Sequence, residues 1–196
     1  MKSVLISIHP KWCELIASGE KTIEVRKTRP MIETPFRCYI YETKARSDMP
    51  TFVDEDGHVL YTGRGQVIGE FVCDDIKTYY ADDFVGAEDL DGTIITEPKD
   101  GVFAYWIPEE KETCLPYGEI LAYGNGKTLY GWHISDLKIY DKPKELGNFW
   151  KADKCPYATE SGCTYKYHCF RAGQTQRCGE TLTRPPQSWC YVEKLI

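Results

Sequence analysis

The sequence predicts an α+β fold that is mainly β: a small β-barrel with short flanking helices and a loop-rich, cysteine-containing lobe. The 196 residues are enough for one domain with a small appendage, and a hydrophobic content of 42% is typical of a globular chain. Several short runs alternate apolar and polar side chains, which indicates strands, and few segments have helical spacing. Many short strands with few helices indicate a small barrel with attached helices.

The chain begins with a strand and a short helix. Residues 3–8 alternate in polarity and predict a largely buried strand. Pro10 suits the first position of a helix, where its missing N–H costs nothing, and Gly19 suits the left-handed position that ends one. Between them, three apolar side chains with helical spacing form one stripe, which predicts a helix of about three turns. The stripe consists of Trp12, Leu15 and Ile16.

The next segment, TIEVR, has a strict period of two and predicts a second strand. Ile23 and Val25 are expected to face the barrel interior, so Glu24 and Arg26 share the opposite face at a spacing of about 7 Å. Lys21 precedes the strand, at the corner after the helix, and is close enough to join them. The sequence therefore predicts a mixed-charge cluster in which one carboxylate is flanked by two cations.

The rest of the chain predicts further strands joined by turn-rich segments. A hairpin or a long loop is expected at residues 45–65, and a short helix within residues 79–90. Further strands are expected at residues 37–41, 66–73, 129–140 with a break near 135–136, and 188–196.

These elements suggest domain boundaries. We expect a barrel over residues 1–149, with insertions near 45–65 and 74–112. A cysteine-rich lobe is expected over 150–187, and residues 188–196 are expected to form a final strand that returns to the barrel.

The charge is distributed unevenly along the chain. The formal net charge is −6, which argues against bulk electrostatic attraction to nucleic acid. Residues 21–46 nevertheless carry a net charge of +4, whereas residues 54–112 carry −12 and residues 151–196 carry +3. Because screening limits the reach of a charge to about 10 Å, an acidic fold can still present one cationic face to a phosphate-bearing ligand. Ordinary solvated faces are the alternative explanation.

Hydropathy gives an expectation about location. The sequence has no apolar run near the ~18 residues that a membrane helix needs. Its N-terminal apolar run is too short for a secretory signal, and no small-residue cleavage site follows. We therefore expect a cytoplasmic protein without a membrane partner. In that reducing compartment, the nine cysteines indicate thiols or metal ligands before disulfides.

Four cysteines cluster near the C-terminus with the spacing C-x7-C-x5-C-x8-C. A loop-rich lobe of this length lacks a core of its own, so a structural zinc ion is a candidate for ordering it. The spacing lacks the C-x2-C pair that zinc sites usually contain, and disulfides or buried thiols are the alternatives. The candidate ligands are Cys155, Cys163, Cys169 and Cys178. The cysteines expected in the core are Cys13, Cys38, Cys73 and Cys190.

The predicted cluster of Lys21, Glu24 and Arg26 suits two kinds of chemistry. A carboxylate accepts a hydrogen bond from an exocyclic amine while arginine binds a carbonyl or a phosphate, so the cluster can recognise a nucleobase edge. Proton transfer is the second kind, since neighbouring charges tune a lysine and a carboxylate. A structural ion-pair network is the alternative. The rim of such a site is expected at the preceding strand-to-helix turn, where backbone N–H groups suit a phosphate; its candidates are Ser7, His9 and Trp12.

These residues carry a resemblance to a known family. Residues 3–30 run strand, helix, strand and contain the pattern G-x-K-x-x-E-x-R, which begins at Gly19 and ends at Arg26. In this context the pattern resembles the ASCH domain, a compact PUA-like β-barrel family, in a stand-alone bacterial or phage-type member with a cysteine-rich extension. The later segments GQVIGEFVC and LYGWHISDL are similar to the family's central strands. The resemblance implies binding of RNA, single-stranded nucleic acid or a modified nucleoside in a cleft beside the motif.

A small branch of that family implies an enzyme instead. Its members look like amidohydrolases that deacetylate acetylcytidine, with the pattern G-x-K-T-x-T-x-R. Lys21 and Thr22 match it, but Glu24 replaces the second threonine and removes the presumed nucleophile. For an amidohydrolase acting on acetylcytidine-like nucleosides, the candidate residues are Lys21, Thr22, Glu24 and Glu70. A protein-interaction module that uses the acidic segment 74–112 is a third interpretation.

Overall fold

The fold was obtained as a computed structural model. It describes residues 2–44, 52–53, 59–61, 63–79, 86–88, 94–96, 110–151, 158–159, 162–163 and 181–193. The helices among these residues are α1 (Pro10–Ala17), α2 (Glu110–Thr113) and α3 (Tyr117–Gly124). The strands are β1 (Lys2–Ile8), β2 (Ile23–Arg26), β3 (Phe36–Glu42), β4 (Phe52–Val53), β5 (Val59–Tyr61), β6 (Val67–Cys73), β7 (Ile76–Tyr79), β8 (Gly86–Glu88), β9 (Ile94–Thr96), β10 (Leu129–His133), β11 (Ser135–Lys144), β12 (Ala158–Thr159), β13 (Gly162–Cys163) and β14 (Trp189–Glu193).

The chain divides into two compact units, and each is built around one of the larger sheets. The first unit comprises Met1–Cys13, Phe36–Phe71 and Asp136–Ile196. The second unit comprises Glu14–Pro35 and Val72–Ser135. The predicted recognition motif therefore lies in the second unit.

The first unit contains a five-stranded sheet in the order β11-β6-β3-β1-β14. Its β1 strand pairs parallel with β3, with Leu5 opposite Tyr39, and antiparallel with β14, with Leu5 opposite Cys190. A parallel pair needs a crossover connection, and the segment between β1 and β3 supplies it with α1 and β2. Both faces of β1 are buried, and one of them carries an apolar cluster whose buried members are Leu5, Tyr39, Tyr41, Val67, Phe149, Leu182 and Val192.

The second unit contains an antiparallel three-stranded sheet in the order β2-β10-β7. Trp132 of β10 lies opposite Glu24 of β2 on one side and opposite Ile76 of β7 on the other. Because side chains alternate across a strand, the neighbours of Glu24 along β2 point to the other face of the sheet. That face packs against α3 in an apolar cluster of Ile23, Val25, Tyr79, Ile120 and Leu129.

Most of the local predictions are confirmed. The helix after β1 begins at Pro10 and ends at Ala17, and the strands expected at 3–8, 22–26, 37–41 and 66–73 form within one residue of their predicted ends. The strand expected over 129–140 is longer than predicted, because β11 continues to Lys144. The break predicted near 135–136 separates β10 from β11, and Asp136 has a φ of 46° there. Strands β4 and β5 pair antiparallel, which favours the hairpin over the long loop as the alternative for 45–65.

One prediction of architecture needs correction, and a second is tested only in part. Neither of the larger sheets closes into a barrel within the described residues: the five-stranded sheet ends at β11 and β14, and the other ends at β2 and β7. At the break between β10 and β11 the chain leaves the three-stranded sheet and enters the five-stranded sheet. The strands before and after the break therefore belong to two separate open sheets. Of the segment 79–90, Tyr79 ends β7 and Gly86–Glu88 is a strand, while the remaining residues lie outside the described ones, so the short helix expected there stays a prediction.

Two further predictions concern the membrane and the domain boundaries. None of the helices in the described segments is long and apolar enough to cross a membrane. The last described strand, β14, pairs with β1. The boundaries of the cysteine-rich lobe stay a prediction.

Candidate functional site

Lys21, Glu24 and Arg26, named here the recognition cluster, converge on a single carboxylate. Nζ of Lys21 lies 3.5 Å from Oε2 of Glu24, and Nη2 of Arg26 lies 2.9 Å from Oε1 of the same residue. The three residues are only 2%, 6% and 9% exposed. The predicted convergence is therefore confirmed, and the cluster is buried with a net charge of +1.

The carbonyl groups at the end of α2 hold Lys21 from the other side. Nζ of Lys21 donates a hydrogen bond to the carbonyl oxygen of Thr113 at 2.5 Å. The backbone N–H of Thr22 donates to the carbonyl of Glu112 at 2.9 Å. A cation at the C-terminal carbonyls of a helix is favourable, because those carbonyls have no partner within the helix. The end of α2 thus fixes the lysine of the motif.

Cys114 directly follows the last residue of α2. Its φ is 53°, and its thiol donates to the carbonyl of Lys111 at 3.6 Å. Burial raises the pKa of this thiol, the charge of Glu20 adds to the rise, and the ammonium of Lys21 opposes it. The thiol therefore lies within electrostatic reach of the recognition cluster.

Two tyrosines lie beside the cluster, each with a cation over its ring. Nζ of Lys27 is 4.8 Å from the ring centroid of Tyr123, and the guanidinium carbon of Arg29 is 5.9 Å from that of Tyr130. Burial raises the pKa of the Tyr123 hydroxyl; the charge of Arg26 opposes the rise, and the carboxylate of Glu24 adds to it. Lys27 and Arg29, which follow β2, therefore extend the positive charge of the cluster to exposed positions.

The predicted rim residues lie in the first compact unit. Ser7 is buried and donates its hydroxyl to the carbonyl of Pro186 at 2.7 Å. His9 is exposed, and its carbonyl accepts the N–H of Trp12 at 3.0 Å at the start of α1. The ammonium of Lys11 lies 4.7 Å from the Trp12 ring. Their role as the rim of a site stays a prediction.

The second predicted carboxylate, Glu70, also belongs to the first unit. Arg37 donates to Oε1 of Glu70, and the hydroxyl of Tyr140 donates to Oε2 at 2.7 Å. Burial and this carboxylate together raise the pKa of the Tyr140 hydroxyl far above its usual range. Glu70 is thus engaged in a hydrogen-bonded group on the five-stranded sheet, and its catalytic role stays a prediction.

The predicted zinc site falls mostly outside the described residues. Cys155, Cys169 and Cys178 lie outside them, and Cys163 is described as part of the backbone of β13. Among the described side chains, no group of three histidine, cysteine or acidic residues could hold a metal ion. The prediction is tested by elemental analysis of the purified protein, where one zinc per chain is the expected result.

The cysteines predicted in the core are placed largely as expected. Cys13, Cys38 and Cys73 are buried, and Cys190 is half-buried beside the core of the first unit.

Sequence reasoning missed the contribution of α2 and α3. Thr113 and Tyr123 reach the cluster from residues far along the chain, and no local pattern connects them to β2. The segment of α3 does contain a signal, since its apolar residues at 117, 120, 121 and 124 have helical spacing. That spacing predicts the helix but not the surface on which it packs.

Comparison with known proteins agrees with the fold and identifies the family. A family model described as the ASCH domain matches residues 6–123, which is more than half of the chain. The chain belongs to the ASCH domain family, whose members are generally thought to bind RNA. No curated protein matches the sequence.

Solved structures from Zymomonas mobilis have a similar fold. The ASCH protein of that organism has a TM-score of 0.51 and 16% identity, over 98% of this chain and 88% of that one. A variant of it with tyrosine changed to phenylalanine has a TM-score of 0.52 and 16% identity, over 99% and 92% of the two chains. A serine-to-alanine variant has a TM-score of 0.51 and 16% identity, over 98% and 89%. At this identity the likeness concerns the fold alone.

Proposed function

We propose that this protein binds RNA, another single-stranded nucleic acid or a modified nucleoside, and that the recognition cluster is its polar centre. One observation carries the proposal: three charged side chains with a net charge of +1 are buried around a single carboxylate. Removing charges from water costs several kcal/mol per ion, and apolar side chains of similar volume often give equal or greater stability. A buried cluster of this kind therefore favours a functional role over a purely structural one.

The chemistry of the cluster suits a nucleic-acid ligand. The charge of +1 is incompletely screened because the three side chains are largely excluded from solvent, so an anionic or carbonyl oxygen at the edge of the cluster is stabilised. Arg26 presents that edge, and exposed Lys27 continues it beside the ring of Tyr123. Phosphate contacts supply affinity in such complexes, while a carboxylate such as Glu24 discriminates between base edges.

The amidohydrolase alternative receives less support from the same geometry. Lys21 donates to a carbonyl and pairs with a carboxylate, so its amine is engaged with two partners within the protein and is less available to a substrate. Glu24 also stands where the pattern of that branch has its threonine.

A cytoplasmic location remains part of our proposal, because nucleic acids and nucleosides are found there.

The test compares variants in a binding assay with a fluorescent single-stranded RNA at several salt concentrations. Lys27→Ala removes an exposed cation and should weaken binding severalfold while lowering the salt slope by about 0.7. Arg26→Lys keeps the charge but loses the planar donor pair, and should weaken binding further. Lys138→Ala is the matched control, since it removes an equally exposed lysine from β11.

Equal affinities for the wild type, Lys27→Ala and Arg26→Lys would refute the proposed site. Circular dichroism melts of each variant establish that the fold is retained. Incubation with acetylcytidine is a parallel measurement, and release of acetate and cytidine would favour the amidohydrolase over a binding protein.

A further inference from the structure

A cavity of about 510 Å³ lies in the second compact unit. The loop of residues 29–34, which follows β2, forms one side, and Asp75 and Ile76 at the start of β7 form the other. None of the three residues of the recognition cluster lines it. The cavity is therefore distinct from the proposed nucleic-acid site, although both involve the segment that leaves β2.

Hydrogen bonds to β10 and β11 fix the side of the cavity that belongs to β7. The backbone N–H of His133 donates to the carbonyl of Asp75 at 3.0 Å, and Nδ1 of His133 lies 2.6 Å from Oδ1 of Asp74. The hydroxyl of Ser135 donates to the carbonyl of Val72 at 2.9 Å. This side of the cavity is thus held in place before any ligand arrives, which lowers the entropic cost of binding.

The side chains of the cavity combine negative charge with apolar surface. Glu33 and Asp75 are exposed carboxylates, whereas Arg29 is the single cation among the lining residues, so the net charge is −1. Met31 is 88% exposed, the highest value among the large apolar side chains of the described residues. Methionine is flexible and polarisable and is enriched at protein interfaces, where it adapts to its partner.

We propose that this cavity docks a segment of a partner protein that presents a lysine or arginine next to an apolar residue. The carboxylates of Glu33 and Asp75 receive the cationic head, and its methylene stem lies along the apolar side of Ile76. Arg29 donates to a backbone carbonyl of the segment, and Met31 covers the apolar neighbour.

The charge of the cavity also decides against phosphate-bearing ligands. Two carboxylates at its edge repel a phosphate, whereas one arginine compensates only half of that repulsion. A nucleic acid is consequently directed to the cations at the recognition cluster and a basic peptide to the cavity. The two proposals are independent, so either can fail alone.

The test follows the methyl groups of Met31 and Ile76 by NMR in the full-length protein. The probe is acetyl-Leu-Arg-Leu-amide, and acetyl-Leu-Glu-Leu-amide is its charge-reversed control. We expect saturable shifts of both methyls with the arginine peptide, with a dissociation constant in the millimolar range because one anchor side chain is used. The glutamate peptide should produce no saturable shift.

Variants separate specific docking from general charge attraction. Asp75→Asn and Glu33→Gln should each weaken the arginine peptide about tenfold, as expected for the loss of a charge-assisted hydrogen bond. Glu119→Gln removes an exposed carboxylate from α3 in the same unit and should have no effect. Lys27→Ala, which weakens RNA in the preceding proposal, should also leave the peptide affinity unchanged.

Three results would overturn the inference. The first is an equal response to both peptides, and the second is the absence of saturable shifts up to about 10 mM arginine peptide. The third is a saturable shift of both methyls with a single-stranded oligouridylate but not with the arginine peptide, which would assign the cavity to nucleic acid.

Discussion

Nη2 of Arg26 lies 2.9 Å from Oε1 of Glu24, and both side chains are almost excluded from solvent. Glu24 also pairs with Lys21, so one carboxylate compensates two cations. The stability of this part of the second unit consequently depends on Glu24 more than on either cation. This asymmetry leads to the first prediction.

Glu24→Gln should lower the free energy of unfolding by roughly 3 kcal/mol, because it leaves two buried cations without their counter-ion. Glutamine has nearly the same size, so loss of packing contributes little. Urea denaturation followed by circular dichroism measures the change. Glu119→Gln is the matched control and should stay within about 0.5 kcal/mol of the wild type. Equal stability of both variants would show that the cluster is not electrostatically coupled.

The pairing of Asp74 with His133 predicts a pH dependence. The hydrogen bond from His133, with smaller help from Ser135, lowers the pKa of Asp74 below its usual 3.8. Because the folded-state pKa lies below the unfolded one, the ionised carboxylate stabilises the fold above about pH 4. That contribution is lost as the pH falls through the folded-state pKa.

An NMR titration of the Asp74 carboxyl carbon measures this shift directly. The midpoint should lie below 3.8 in the wild type. It should move back towards the ordinary value in His133→Ala, which lacks the ring donor. A midpoint that His133→Ala leaves in place would assign the shift to another group.

Gly131 is a position where the second unit has no room for a side chain. A Cβ atom there would lie 2.7 Å from Cζ of the buried Tyr79, so Gly131→Ala forces the ring to move. We expect a cost of about 1–3 kcal/mol in unfolding free energy. Gly118→Ala is the control: no described atom lies within 4 Å of its added Cβ, and alanine favours α3. It should be neutral or slightly stabilising.

Two cysteines should differ in reactivity. Burial, with added repulsion from Asp74 and Asp75, raises the pKa of the Cys73 thiol to about 12, so it stays protonated and enclosed. The pKa of the Cys114 thiol is also raised by burial, but this side chain is partly exposed and therefore accessible to a reagent. Iodoacetamide should therefore label Cys114 in the native protein and leave Cys73 intact at pH 8.5, which is about the ordinary pKa of a cysteine thiol. Peptide mass spectrometry measures the labelling of each residue. Labelling of both at similar rates would contradict this, and denatured protein supplies the positive control.

The local elements and the motif follow from the sequence because their signals are short-range. The period of two over β2 places Glu24 and Arg26 on one face, and the positions of Pro10 and Gly19 mark the ends of the helix region. These patterns depend on neighbours within a few residues, which the sequence displays directly. The same locality explains why the hairpin of β4 and β5 and the break at Asp136 could be predicted.

The pairing of distant segments could not be predicted in this way. Period-two strands fit a closed barrel and an open sheet equally well, since closure depends on which edges meet. The carbonyl of Thr113 accepts a hydrogen bond from Lys21, which lies 92 residues earlier in the chain. The residues next to Thr113 in the sequence give no indication of that contact. The sequence therefore predicts which three residues form the cluster, but not that α2 packs beside it.

The sequence by itself determined the strand–helix–strand order, the family motif and the charges that the motif carries, because periodicity and residue type are local properties of a chain. The tertiary structure alone decided that those charges are buried, that α2 holds Lys21, that the strands form two open sheets, and that a cavity opens beside Asp75. Each of these depends on long-range packing, in which the free energy of a contact is shared by segments that no local pattern connects.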